Sequence, residues 1–186
     1  MRIISGHYKG RKLSSTKSLH IRPTTDRVKE YIFNVLHDFP MNKTIVDIFS
    51  GSGNLGIEAI SRGAHKIVFV DNSFESLDIL KKNLDALKIP DQNIQIVKSD
   101  AIKFVKKNQI PFDLYFLDPP FKYPKLQQLL DTLFNTGYIN AESIIVLENE
   151  ISNPINESSK SYDIIKQKKF GRSLINFIIK KENNVN

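Results

Sequence analysis

The chain has 186 residues, is 40% hydrophobic, carries a net charge of +7 and contains no cysteine. That is one domain's worth of core, and it excludes a disulfide framework and a thiolate metal site. No apolar run approaches bilayer-crossing length, the opening MRIISGHYKG lacks the apolar stretch of a secretory signal, and the four histidines stand singly, so a cytoplasmic monomer with no metal and no membrane partner is expected.

The first elements are short. Residues 2–5 and 9–13 read as two strand-like pieces with Gly6 and Gly10 nearby, which predicts a small β-hairpin. Residues 1–30 hold eight basic residues against two acidic ones, including four of the six arginines, Arg2, Arg11, Arg22 and Arg27. A Lys-, Ile- and Asn-rich composition accounts for the lysines but not for clustered arginines, whose planar fork suits phosphates and base edges. Residues 1–23 are therefore expected to form a basic arm that binds nucleic acid through Arg2, Arg11, Lys12 and Arg22. Thr24 and Thr25 offer N-caps for a helix whose apolar face is Val28, Ile32, Val35, Leu36 and Phe39, with Pro40 as its stop.

From residue 44 strands and helices alternate. Strands are expected at 44–49, 66–70, 94–98, 112–117 and 143–147, and helices at 54–62, 74–88, 101–107 and 125–135. This order implies an α/β fold, a doubly wound, mostly parallel sheet with helices on both faces. Residues 162–170 and 173–180 are β-rich and separated by Gly171-Arg172, which reads as an antiparallel hairpin at the sheet edge. With no internal repeat and no dividing linker, residues 1–186 read as one domain: the arm, a core over 24–181, and a frayed tail at 182–186.

Three features carry chemistry. Gly51-Ser52-Gly53-Asn54-Leu55-Gly56 fits G-x-G-x-x-G between a strand and a helix, the place where backbone approaches a nucleotide-type cofactor. The carboxylates decide which cofactor. Asp47 precedes the loop by four residues, and an added negative charge there disfavours a pyrophosphate but suits the ammonium and sulfonium of S-adenosylmethionine. Asp71, with Asn72 after it, ends the second strand and can accept hydrogen bonds from both ribose hydroxyls. Asp100 ends the third and can take the adenine amino group, while the Ala101 region supplies a backbone N–H. A single acid at a strand end is ordinarily a helix cap, whereas three at consecutive carboxyl ends mark the ligand edge of an open α/β sheet. The start of the helix after Thr24 and Thr25 has amides that could also hold the cofactor's carboxylate.

Asp118-Pro119-Pro120-Phe121 ends the fourth strand. An exocyclic base amine is a weak nucleophile because its lone pair is delocalised into the ring. Hydrogen bonds to Asp118 and to a prolyl carbonyl would favour the pyramidal geometry needed for attack, the prolines would stiffen that carbonyl, and Phe121 offers a stacking face for an extruded base. Positioning and electrostatics suffice, with no metal and no covalent intermediate. The residues alone leave guanine, adenine and cytosine open, and RNA or DNA.

The tetrapeptide resembles the (Asp/Asn)-Pro-Pro-(Tyr/Phe) motif of amino-directed methyltransferases, and the chain as a whole resembles the RsmD family of 16S rRNA guanine-N2 methyltransferases. The similarity runs in order through Arg2-Ile3-Ile4-Ser5-Gly6, Lys9-Gly10-Arg11-Lys12-Leu13, Arg22-Pro23-Thr24-Thr25-Asp26-Arg27-Val28-Lys29-Glu30, Phe33-Asn34-Val35-Leu36, Asp47-Ile48-Phe49-Ser50-Gly51-Ser52-Gly53, Gly56-Ile57-Glu58-Ala59 and Phe170-Gly171-Arg172-Ser173. The chain departs from the expected pattern at Asn54, where a small or acidic residue is more usual. The resemblance implies a Rossmann-like class I methyltransferase with a seven-stranded sheet, S-adenosylmethionine as cofactor, and one guanine of 16S rRNA as acceptor, in the small ribosomal subunit or an assembly intermediate. It adds Phe49, Ser50 and Asn54 to the cofactor loop and Arg172 to the RNA contacts. Two alternatives stand beside it: an adenine-N6 or cytosine-N4 DNA methyltransferase, disfavoured because little mass lies outside the core, and a non-catalytic RNA-binding protein on the same fold, disfavoured by the intact Asp118 motif.

Overall fold

A computed structural model describes residues 1–15 and 25–181. The expected tail at 182–186, and Arg22, Pro23 and Thr24, lie outside the described residues.

Seven strands form one sheet: β1 (Thr44–Ile48), β2 (Lys66–Asp71), β3 (Ile94–Lys98), β4 (Leu114–Leu117), β5 (Ile144–Glu150), β6 (Tyr162–Phe170) and β7 (Ser173–Lys180). Their order is β3-β2-β1-β4-β5-β7-β6. The first five are parallel, and β7 joins β5 antiparallel with β6 outside it. Five helices connect them: α1 (Asp26–Leu36), α2 (Asn54–Ser61), α3 (Phe74–Leu87), α4 (Ala101–Lys107) and α5 (Leu126–Asn135). This is the Rossmann-like, doubly wound architecture expected, with the antiparallel hairpin at the predicted edge.

The parallel strands read as continuous apolar runs because both faces are covered. One face packs Ile45, Ile67, Phe69, Leu114 and Phe116 under α1, α2 and α3, and the other packs Val46, Ile48, Val68, Val70, Tyr115 and Leu117 under α4 and α5. The strand order reverses between β1 and β4, so the loops that leave these two neighbours diverge to opposite faces and open a crevice at their carboxyl ends.

Several boundaries differ from expectation for local reasons. Helix α1 ends at Leu36 and not at Pro40: the His37 N–H donates to the Phe33 carbonyl while His37 turns to φ 48°, and Phe39 packs on the core from the turn that follows. The amino-terminal hairpin is a single bridge, Arg2 to Lys12, held by Ile3 N–H to Arg11 O and Gly10 N–H to Ile3 O, and not two strands. Strand β4 starts at Leu114 because Asp113 is occupied in tying Thr44, its N–H donating to the Thr44 carbonyl and its Oδ2 accepting the Thr44 N–H. Strand β5 runs three residues further than its apolar run, to Glu150, because β7 pairs with it as far as Ser173.

Candidate active site

One cavity of about 320 Å³ opens at the carboxyl ends of the parallel strands. The β1–α2 loop contributes Phe49, Ser50, Gly51, Ser52 and Asn54; the end of β2 contributes Asp71 and Asn72; the end of β3 contributes Asp100 and Ala101; the end of β4 contributes Asp118, Pro119, Pro120 and Phe121. Residues far apart in the chain thus meet because every parallel strand delivers its last residue to the same edge.

The loop is shaped by backbone conformations that side chains disfavour. Phe49 takes φ 65°, a rare state for a bulky residue, and Gly51 and Gly53 take φ 54° and 88°. A Cβ on Gly51 would meet nothing within 4 Å, so this glycine faces open space, whereas a Cβ on Gly53 would collide with Leu80 and Ile57. At Gly56 it would collide with Phe69 and Ile67. Gly53 and Gly56 therefore let α2 pack closely and do not border the cavity, unlike the contact roles expected for them.

Asp47 departs from expectation in the same way. It is 2% exposed, does not border the cavity, and its Oδ2 accepts the Gly56 N–H at 2.9 Å, anchoring the first turn of α2. Burial pushes its carboxyl up to about 7, the Gly56 bond opposes this, and the Asp71 charge adds to it. Asp71 stands at the surface of the cavity, with Oδ2 accepting the Gly51 N–H and Oδ1 the Ser73 N–H, both at 2.8 Å. Each oxygen keeps a further lone pair for an incoming hydroxyl. Asp100 caps α4, its Oδ1 accepting the Lys103 N–H at 3.0 Å, and borders the cavity as well. Thr25 caps α1 through its hydroxyl and is not part of the cavity wall.

Two hydroxyls in the wall, Ser50 Oγ and Tyr123 Oη, are buried without a hydrogen-bond partner among the described residues. Buried polar groups are ordinarily satisfied, so these mark places where a polar ligand would bond. Together with two carboxylates suited to ribose and adenine and an open glycine, the wall fits S-adenosylmethionine. Among the described residues no group of three or more His, Asp or Glu side chains is placed to hold a metal ion, and no helix is long and apolar enough to cross a membrane.

After β4, Pro119 is buried, and the Pro120 carbonyl accepts the Tyr123 N–H at 3.0 Å, closing a turn over the motif. Tyr123 packs edge-on against Phe49 with centroids 5.1 Å apart, linking this turn to the glycine loop. The tip of the β6–β7 hairpin brings the Arg172 guanidinium over the Phe121 ring, 5.9 Å from its centroid. The amino-terminal cations lie elsewhere. Arg2 pairs with Asp26 at 2.8 Å, and Arg11 donates to the Ala86 carbonyl at 3.1 Å; both are exposed, as is Lys12.

Some cavity and supporting residues were not anticipated from the sequence. Tyr123 and Glu148 border the cavity, and Glu148 carries the same signal as the other acids, a carboxylate toward the end of a parallel strand. Asn83 and Lys29 carry no such signal. Asn83 Nδ2 donates to both Ser14 O and Ser52 O at 3.0 Å, and its Oδ1 accepts the Ser14 N–H, tying the arm to the glycine loop. Lys29, fully buried, donates to Arg2 O at 2.7 Å and Asn54 Oδ1 at 2.8 Å and pairs with Glu58 at 3.3 Å. Desolvation pulls its pKa below the ordinary lysine value, with Glu58 opposing.

Comparison with known proteins agrees with this geometry. The family model described as Conserved hypothetical protein 95 matches residues 1–179. The chain is 36% identical to ribosomal RNA small subunit methyltransferase D of Haemophilus influenzae, over 92% of this chain and 89% of that one. It is 34% identical to the protein of the same name from Escherichia coli strain K12, over 92% and 86%. A solved Escherichia coli structure named as a methyltransferase superposes with a TM-score of 0.87 at 32% identity, covering 97% of this chain and 98% of that one.

Proposed function

The chain belongs to the ribosomal RNA small subunit methyltransferase D family, and from that membership we propose that it transfers a methyl group from S-adenosylmethionine to the exocyclic N2 amino group of one guanine in 16S rRNA. The observation that carries this reading is the convergence of Asp71, Asp100 and the Asp118-Pro119-Pro120-Phe121 turn on one cavity.

Bound S-adenosylmethionine supplies a methyl group made electrophilic by its sulfonium. Asp71 holds the ribose through the lone pairs that Gly51 and Ser73 leave available. Asp100 and Ala101 receive the adenine, and the bare Gly51 lets the loop backbone lie against the ligand. The Asp118 carboxylate accepts an N–H from the guanine amine and stabilises the positive charge that grows on N2 as the N–C bond forms and the S–C pair stays with sulfur. No prior deprotonation is required, because the methylated nitrogen becomes strongly acidic and then releases its proton to the Asp118 carboxylate that already accepts its N–H, and from there to water. Phe121 stacks on the extruded base, and Arg172 beside it faces the RNA. The carboxyl edge is thereby divided into a cofactor half on β1–β3 and a base half on β4–β5.

The test is transfer of labelled methyl groups to 16S rRNA and to 30S particles lacking the modification, with the product mapped by nuclease digestion and mass spectrometry. N2-methylguanosine at one position is expected. Label on adenine or cytosine, or on DNA in preference to rRNA, would overturn the reading, and no transfer despite cofactor binding would favour a non-catalytic role.

A further inference from the structure

We propose that Glu148 determines the choice of base by accepting the guanine N1–H beside the reacting amine; this rests on the guanine reading above. Three observations place it. Leu117 of β4 and Leu147 of β5 are the last registered partners of these parallel strands, and Asp118 and Glu148 are the residues that directly follow them. Both border the same cavity, together with Pro119, Pro120 and Phe121. Glu148 is only 8% exposed, and its backbone is paired with Ile175 of β7, so the residue is carried by a strand and not by a loop.

The chemistry of the three candidate bases then separates them. Adenine, cytosine and guanine all carry an exocyclic amine next to a ring nitrogen. In adenine (N1) and cytosine (N3) that nitrogen presents a lone pair. In guanine N1 carries a proton, so N1–H and N2–H form two adjacent donors. A site with one carboxylate accepts any amine. A site with a second carboxylate beside it pairs fully with guanine, and sets a lone pair against a negative charge for the other two. Asp118 thus engages the amine common to all three bases, and Glu148 reads the atom that distinguishes them. Sites built around a hydrogen bond reject analogues that lack the partner far more strongly than apolar pockets reject a missing methylene.

The experiment uses the full-length protein and a model rRNA fragment carrying guanine or 2-aminopurine at the mapped position. 2-Aminopurine keeps the N2 amine but presents a lone pair at N1. Wild-type enzyme should methylate the guanine substrate at least about 10²-fold faster under single-turnover conditions. Glu148→Gln, whose amide can donate to N1, should narrow that ratio to below about tenfold while leaving cofactor affinity within about twofold. An unchanged ratio in a variant that still binds cofactor would overturn the inference. So would equal rates on the two substrates in the wild-type protein, a measurement that needs no variant and stands even if Glu148→Gln fails to fold. Failure of the guanine reading itself looks different: the wild-type label would map to another base.

Discussion

The acids at the strand ends divide into different tasks according to burial, and this division can be measured. Asp118→Ala should lower single-turnover methyl transfer by on the order of 10²–10³ while cofactor and RNA affinities change little, because its interaction strengthens in the transition state. Asp118→Asn should retain part of the rate, since an amide oxygen still accepts the amine's N–H. Asp47 behaves differently because it is sealed behind the loop. Its pKa is raised from the ordinary 3.8 to about 7, so the ionised form costs stability: the contribution is fully present below about pH 4 and is lost as pH rises through about 7. Asp47→Asn can still accept the Gly56 N–H and has no charge to bury. The stability of this variant relative to wild type, followed by thermal melts, should therefore rise between about pH 4 and pH 7, by an amount on the order of 1–4 kcal/mol. A difference independent of pH would show that Asp47 stays ionised in the fold. Cofactor affinity should fall less in Asp47→Asn than in Asp71→Ala, where losing charged hydrogen bonds costs about 1–3 kcal/mol, as calorimetry would measure.

Between elements, the cavity depends on side-chain ties that no single element contains. Asn83 of α3 grips Ser14 and Ser52 together, so arm and glycine loop share one buried amide. Asn83→Ala leaves three backbone groups without that partner, and should destabilise the protein by about 1–3 kcal/mol and weaken cofactor binding. A folded variant with native cofactor affinity would show that the loop holds its shape without the clamp. A second chain of amides crosses the other end of the sheet. Gln167 donates to Asn176 at 2.8 Å, Asn176 to Asn149 at 2.7 Å, Asn149 to the Asn153 carbonyl at 2.9 Å, and Asn153 to the Tyr123 carbonyl at 2.9 Å. The terminal hairpin is thereby connected to the turn that carries Asp118 and Phe121. This gives a physical reason for an antiparallel pair on an otherwise parallel sheet: it sets Arg172 at its tip over Phe121 and braces the turn after β4 from the side.

At the scale of the whole molecule, the net charge of +7 and its concentration at the amino terminus describe a protein drawn to polyanions. RNA affinity should fall steeply with salt, and replacing Arg2, Arg11 and Arg22 by Gln should flatten that dependence by about one unit of slope for each phosphate no longer neutralised. Arg2 already has Asp26 as a neighbour and Arg11 the Ala86 carbonyl, so these two should contribute less than fully solvated cations would. A slope unchanged in the triple variant would place the RNA contacts elsewhere, with the hairpin around Arg172 as the next surface to alter.

The sequence by itself determined the elements and the edge on which chemistry gathers. Short apolar runs alternating with amphipathic helices admit only a covered parallel sheet, and Asp71, Asp100 and Asp118 fall at strand ends by count alone. These are local properties, set by periodicity and by the right-handed crossover that sends every strand the same way. Only the tertiary structure decided which of the marked residues meet open space. Gly53, Gly56 and Asp47 sit in the motif as Gly51 does, yet they face neighbouring side chains or backbone, because the direction of a side chain within a tight loop depends on φ values and on what packs behind it. It also decided the partners of Asn83, Lys29 and Glu148. Their contacts join residues 25 to 69 positions apart, and nothing in the local pattern of a helix or strand records which distant backbone will arrive beside it.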